Sequence, residues 1–143
     1  MKLILLFLCF IECSYCLEVI QVSRNSRTSL PTTSSEDKYF YLTNSNYYSY
    51  STYIYICFED NNFGLKYNNI KYCQTHTNPS SSPNSAVNEC SFSTISYYNT
   101  QSSSGINRYY YKISTSSSYY YSIVYYDGNN SSGNLYATSD YND

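Results

Sequence analysis

Cys57, the lone histidine His76 and a scatter of serines are the side chains in this sequence with reactivity suited to catalysis. Hydrolysis through a covalent intermediate needs a nucleophile, a base and an acid that orients the base. Serine is plentiful, but no G-x-S-x-G occurs, and His76 sits in "CQTHTNPSSSP" close to two prolines. That context makes His76 a solvated loop residue rather than a base. Cys57 with His76 would form a thiol dyad, yet neither has a supporting local motif, and an exported cysteine is as readily bridged. The acids Glu36-Asp37 and Glu59-Asp60 are neighbours in sequence, which places no two carboxylates across a cleft. The expectation is that the chain is not an enzyme.

Metal chemistry fares no better. The only C-x-x-C spacing, Cys13 to Cys16, falls at the end of an apolar leader, and one histidine is too few to complete a zinc site around it. "EDNN" at 59 to 62 and "DGNN" at 127 to 130 offer oxygen ligands of the kind calcium takes. Neither follows the spaced loop pattern, and Asp and Asn are ordinary residues of tight turns. No metal and no cofactor is expected. One modification motif is clear: Asn129 and Asn130 head overlapping N-glycosylation acceptors in an exposed turn. Only one of the two would be modified, because the first glycan hinders the second.

The start, "MKLILLFLCFIECSYC", has the anatomy of a secretory signal: basic Lys2, an apolar run from Leu3 to Ile11, then small and polar residues. The run is far short of the roughly 20 residues needed to cross a bilayer. Residues 1 to 16 are therefore assigned to a cleaved signal, and no later segment could span a membrane. The mature chain is expected to be secreted and extracellular. Cleavage after Cys16 leaves Cys57, Cys73 and Cys90; cleavage after Cys13 leaves Cys16 as well. An oxidising compartment favours a bridge. Cys73–Cys90 is the choice, because "QTHTNPSSSPNSAVNE" between them is the most loop-like stretch of the chain. Cys57 is then a buried free thiol, or a partner for Cys16 where that residue survives.

The 143 residues make one domain with its tails, at a formal net charge of −2 and with 13% charged residues. Scattered basic residues at that balance give no footprint for nucleic acid. Residues 17 to 37 pass from "LEVIQV", a candidate edge strand, into a Ser/Thr-rich segment, and residues 38 to 143 form a tyrosine-rich domain. There, short aromatic and β-branched bursts alternate with Ser, Asn and Gly, the signature of strands and turns. Candidate strands are Lys38–Thr43, Tyr47–Glu59, Phe63–Thr75, Cys90–Tyr98, Asn107–Ser114, Ser118–Tyr126 and Asn134–Ser139. The class is all-β: an antiparallel β-sandwich of jelly-roll-like character.

The sequence also echoes itself. "KYFYLTNS…YIYICFEDNNFGLKY" aligns with "RYYYKISTS…YSIVYYDGNNSSGNLY" about seventy residues later. Shared low-complexity composition is one source of the echo; two similar hairpins within one sandwich is the other.

Residues 108 to 136 hold nine tyrosines in twenty-nine positions. With no Trp and few Phe, tyrosine must supply much of the core, and the central strands are apolar on both sides. Rings left at an exposed face beside Ser and Asn would make an adaptable binding surface. The expected function is a non-catalytic module that binds extracellular glycans or cell-surface proteins. Tyr109, Tyr111, Tyr119 and Tyr121 are its candidate binding residues, sharing one side of two neighbouring strands. The alternative is a structural coat or matrix protein whose tyrosines pack or cross-link.

Overall fold

Bursts of aromatic and β-branched residues do become strands. The computed structural model describes residues 17–29, 38–48, 53–60, 70–114, 116, 118–126 and 133–138. Within them run β1 (Val19–Gln21), β2 (Thr28–Ser29), β3 (Lys38–Thr43), α1 (Ser45–Tyr48), β4 (Tyr53–Asp60), β5 (Ile70–Thr75), α2 (Pro83–Asn88), β6 (Ser93–Thr94), β7 (Ser96–Ser103), β8 (Ile106–Ser114), β9 (Tyr121–Tyr126) and β10 (Gly133–Thr138). They build two five-stranded sheets, β1-β3-β9-β5-β6 and β2-β10-β4-β8-β7. Among the described strands the pairings are antiparallel except that of β1 with β3, and an isolated parallel bridge joins Arg24 to Ala137. The chain is all-β with little helix, and no helix among the described residues is long and apolar enough to cross a membrane.

Several boundaries differ from the sequence reading. Within the Tyr47–Glu59 candidate, Tyr47 and Tyr48 belong to the helical turn Ser45–Tyr48, where Asn and Ser favour turn conformations over a ladder, and the described strand runs from Tyr53 to Asp60. The Cys90–Tyr98 candidate splits into β6 and β7, which belong to different sheets, with the buried Ile95 as the joint. β9 begins at Tyr121 because the carbonyls of Tyr119 and Tyr120 are taken by Asn44 instead of a ladder. The stretch after Cys73, read as loop, contains α2. Its Ser82-Pro83 start is a helix-opening signal, proline being tolerated in the first turn where its missing N–H costs nothing. The signal segment, residues 63–69, the Asp127-Gly128 turn, Asn129 and Asn130 lie outside the described residues.

Alternation along each strand decides what is buried. Ile54, Ile56 and Phe58 of β4, Tyr109, Tyr111 and Ile113 of β8, and Leu135 and Ala137 of β10 join Phe40, Leu42, Ile70, Val124 and Tyr126 of the first sheet in one apolar cluster. The rings of Phe58 and Tyr126, one from each sheet, stand 5.4 Å apart. Tyr109, Tyr110 and Tyr126 are among the largest fully buried side chains, so tyrosine does supply core bulk.

The strands are apolar on both sides because both sides are covered. On the far side of the first sheet, Tyr41, Cys73 and Ile123 pack with Ala86 of α2 and with half-buried Val87, Cys90 and Phe92. Cys73 and Cys90 lie at disulfide distance, their Cα atoms 5.6 Å apart, at the base of this cover. On the far side of the second sheet, Tyr110 and Tyr136 close over Cys57.

The internal echo has a structural counterpart. The alignment equates β3 with β8, β4 with β9 and Glu59 with Tyr126. In the first sheet Lys38 of β3 faces Tyr126 of β9; in the second, Arg108 of β8 faces Glu59 of β4. β5 then flanks β9 as β10 flanks β4. The copies are not hairpins, however. Each sends its two strands into different sheets, and the copies interlock.

Candidate functional site

Strand β6 is short, and that creates the candidate site. It pairs with Lys71 and Tyr72, and among the described residues no strand covers the edge of β5 from Cys73 onward. An open groove of about 410 Å³ forms there, lined by Tyr72, Gln74, Thr75, His76, Glu89 and Tyr119 among others. Three of these present aromatic rings and three present hydrogen-bonding groups.

Each part is held by a specific element. The His76 ring stacks on Tyr119 with centroids 4.9 Å apart and planes at 28°, and Tyr120 meets His76 edge-on at 5.4 Å. Tyr119 belongs to the turn before β9, which Asn44 anchors from the end of β3. The Asn44 amide donates to the Tyr119 carbonyl at 3.1 Å, its backbone N–H donates to the Tyr120 carbonyl at 2.9 Å, and its side-chain oxygen accepts from the Ser122 hydroxyl at 2.7 Å. Asn44 is fully buried, so these bonds are not traded against water. On the other wall, the Glu89 carboxylate accepts from the hydroxyls of Thr77 at 2.6 Å and Thr75 at 3.4 Å. Cys90, one residue on, stands at disulfide distance from Cys73, so the covalent loop would fix the wall that carries Glu89.

The four tyrosines singled out from the sequence are not brought together. Tyr109 and Tyr111 are 0% and 4% exposed inside the shared core, with Tyr111 edge-on to Phe58 at 5.8 Å. Tyr121 is half-buried against Tyr41 on the covered side of the first sheet. Only Tyr119 reaches the groove. The expected sharing of one side of two neighbouring strands does not occur, because β8 and β9 belong to different sheets. His76, read as a solvated loop residue, is exposed in the bend that follows β5, where its ring stacks on Tyr119. Tyr72, Gln74, Glu89 and the anchor Asn44 were missed. None carries a motif, and they converge only through the strand order.

Cys57 lies on the far side of the second sheet, away from His76, so no thiol–imidazole dyad forms. It is fully buried, and the Tyr110 and Tyr136 hydroxyls beside it lie 3.1 Å from each other. Burial pushes the Cys57 thiol up to about 12, against the pull of hydrogen bonds from Tyr136 and Tyr110. A thiol so held is not a nucleophile at neutral pH. Next to it, Glu59 is 5% exposed and receives Arg27 at 2.7 Å and Arg108 at 2.9 Å. Arg27 also lies over the Tyr136 ring, 5.2 Å from its centroid. This cluster is closed upon itself.

A scan against protein families and searches of curated proteins and of solved structures found nothing that matches this chain.

Proposed function

We propose that the chain is a secreted, non-catalytic β-sandwich module that binds a glycan in the groove between β5, Glu89 and Tyr119. The sandwich reading is supported by two sheets that share one apolar cluster. Secretion is supported by the apolar leader and by the cysteine pair at bonding distance, and the expected glycan at Asn129 or Asn130 belongs to the same reading.

The observation that carries the binding proposal is the groove's composition. Sugar rings present C–H faces that settle on aromatic side chains, and hydroxyls that need placed donors and acceptors. Tyr119, His76 and Tyr72 supply the faces; Gln74, Thr75 and Glu89 supply the hydrogen bonds. Glu89 brings an anionic group to the lining, which favours a neutral saccharide over a sulfated or carboxylated one. The open shape suits weak binding of one end of a glycan.

The test is a glycan microarray probed with the secreted chain, followed by calorimetric titration of the glycans retained. Tyr119→Ala should weaken binding about tenfold, the loss of one ring contact, with unfolding unchanged. An array without retained glycans, or titrations indifferent to Tyr119, would reject the reading.

A specific observation also favours a structural role. Tyr97 and Tyr98 are 44% and 45% exposed, and Tyr119 and Tyr120 are 37% and 64% exposed, so adjacent phenols stand open to oxidative coupling. Dityrosine fluorescence in native material would favour that role.

A further inference from the structure

Strand β5 pairs with β9 along its whole length and with β6 over part of it. Two contacts fix which of its backbone groups face which side. The Ile95 N–H donates to the Ile70 carbonyl at 3.1 Å, so Ile70 turns its backbone groups toward β6. Beyond β9, the Asn44 N–H donates to the Tyr120 carbonyl at 2.9 Å. By alternation that aims Ser122 and Val124 at β3 and leaves Tyr121, Ile123 and Tyr125 to bond β5. Both contacts give one arrangement: Lys71, Cys73 and Thr75 bond β9, while Ile70, Tyr72 and Gln74 aim their N–H and C=O groups away from it. Tyr72 meets Ser93 of β6. Gln74 is the next rung, and among the described residues no partner takes its main-chain N–H or C=O.

Continuing the ladder from Ser93 would bring Ser91 opposite Gln74. The chain there is drawn over the far side of the sheet instead. Cys90 stands at disulfide distance from Cys73, and the Phe92 ring packs on Tyr39 at 6.0 Å and on Tyr125 at 6.1 Å. Only one rung opens, because β5 ends at Thr75, whose hydroxyl accepts the Thr77 N–H at 3.0 Å as the chain bends away. Tyr72, Gln74 and Ser91 line the groove described above, together with Tyr119 and Glu89. The Oε2 atom of Glu89 takes the threonine hydroxyls, and Oε1 has no partner among the described residues.

We infer that the groove binds a glycan through a terminal 2-acetamido sugar, an N-acetylhexosamine; the inference rests on the glycan reading above. An acetamido group is a single peptide unit, with its donor and its acceptor on opposite edges, and an open strand rung hydrogen-bonds such units. The acetamide N–H donates to the Gln74 carbonyl. Its C=O points the other way and accepts from the Ser91 hydroxyl, so the group fills the gap where the ladder stops. The oxygen of the adjacent ring hydroxyl accepts from the Gln74 N–H, and Glu89 Oε1 accepts from a further hydroxyl. The acetamide methyl settles among the lining rings. A plain hexose offers Ser91 no carbonyl and the rings no methyl. An extended peptide carries the same amide but binds through successive rungs, and here one is open.

Competition on the glycan array tests this. Retained glycans should end in an N-acetylhexosamine. Free N-acetylglucosamine or N-acetylgalactosamine should displace the chain at about one-tenth the concentration of glucose or galactose, the worth of one well-placed hydrogen bond. The Gln74 amide should exchange with solvent more slowly when the acetamido sugar is bound. Ser91 is exposed, and Ser91→Ala, shown folded by circular dichroism, should narrow the preference. Retained glycans that end in plain hexoses overturn the inference and leave the glycan reading standing. Equal displacement by sugar and parent hexose does the same, as does a Gln74 amide that exchanges unchanged or a preference indifferent to Ser91→Ala. An array with no glycan retained, or a chain that captures extended peptides alone, rejects both.

Discussion

The side-chain amide of Asn44 and the main-chain carbonyl of Tyr119, 75 residues apart in sequence, share a 3.1 Å hydrogen bond that ties the end of β3 to the groove wall. Since Asn44 is fully buried, removing its side chain leaves the Tyr119 carbonyl and the Ser122 hydroxyl short of a partner. Asn44→Ala should cost about 1–3 kcal/mol in denaturant titration, the range for an orphaned buried polar group. Asn44→Asp keeps the acceptor for Ser122 but sets a buried carboxylate against the Tyr119 carbonyl, and should cost at least as much as alanine. Both variants should also broaden the Tyr119 ring signals in NMR, a readout that destabilisation elsewhere would not give.

Glu59 sets the behaviour in acid. Burial alone would raise its pKa, but the hydrogen bonds from Arg27 and Arg108 outweigh it and hold the carboxyl below its usual value. A group depressed on folding contributes stability that is complete above the unfolded pKa of about 4.3. That stability disappears as pH falls through the lower folded value. Stability should therefore be level near neutrality and fall below about pH 4, with Glu59→Gln showing a shallower fall. At neutral pH the same substitution should cost about 2 kcal/mol, below the roughly 3–5 kcal/mol of a broken fully buried pair, because Arg27 is half exposed.

The opposite sign governs alkali. The Cys57 thiol is raised to about 12 by burial, and burial likewise raises Tyr111 to about 12. Groups raised on folding contribute stability that is complete below their unfolded pKa values, about 8.5 for Cys and 10 for Tyr. It is lost as pH climbs toward the folded ones. Unfolding free energy should decline from about pH 9, and Cys57→Ala should delay the onset. In the native chain at pH 8 Cys57 should resist a thiol reagent that labels it fully in denaturant.

What was legible in the sequence was local. Lys38–Thr43 forms a strand at the residues expected, and Cys73 and Cys90 stand at bonding distance, because strand propensity and loop composition are read over a few residues. The site was not legible. Tyr109 and Tyr119 look alike in sequence, both in tyrosine triplets, and only strand order sends one to the core and the other to a groove. Periodicity showed that β4 and β9 are apolar on both sides, but not what covers them. The cover on β9 includes α2, whose proline start was read as loop.

The Cys73–Cys90 pair closes a loop with a sequence separation of 17 and carries α2 on the far side of the first sheet. Closing such a loop is worth about 3 kcal/mol. Cys73→Ser with Cys90→Ser should lose roughly that amount in denaturant titration. Limited proteolysis should then cut first near α2, since the cover is then held by Ala86 with its half-buried neighbours and by the hydrogen bonds of Glu89 to Thr75 and Thr77.

Serine substitutions at the four tyrosines should divide them. Tyr109 is fully buried in the cluster shared by both sheets, and Tyr111 packs between Phe58 and Tyr97. Removing either ring leaves a cavity that costs about 3–5 kcal/mol, enough to unfold a marginal domain. Tyr119 is 37% exposed, so Tyr119→Ser should leave the unfolding midpoint within a degree or so of wild type (~0.5 kcal/mol). Tyr121 should fall between, having one ring partner in Tyr41 and a half-buried position. Thermal unfolding of the four single variants checks the order. Equal losses at Tyr109 and Tyr119 would contradict a core shared by the two sheets with a groove outside it.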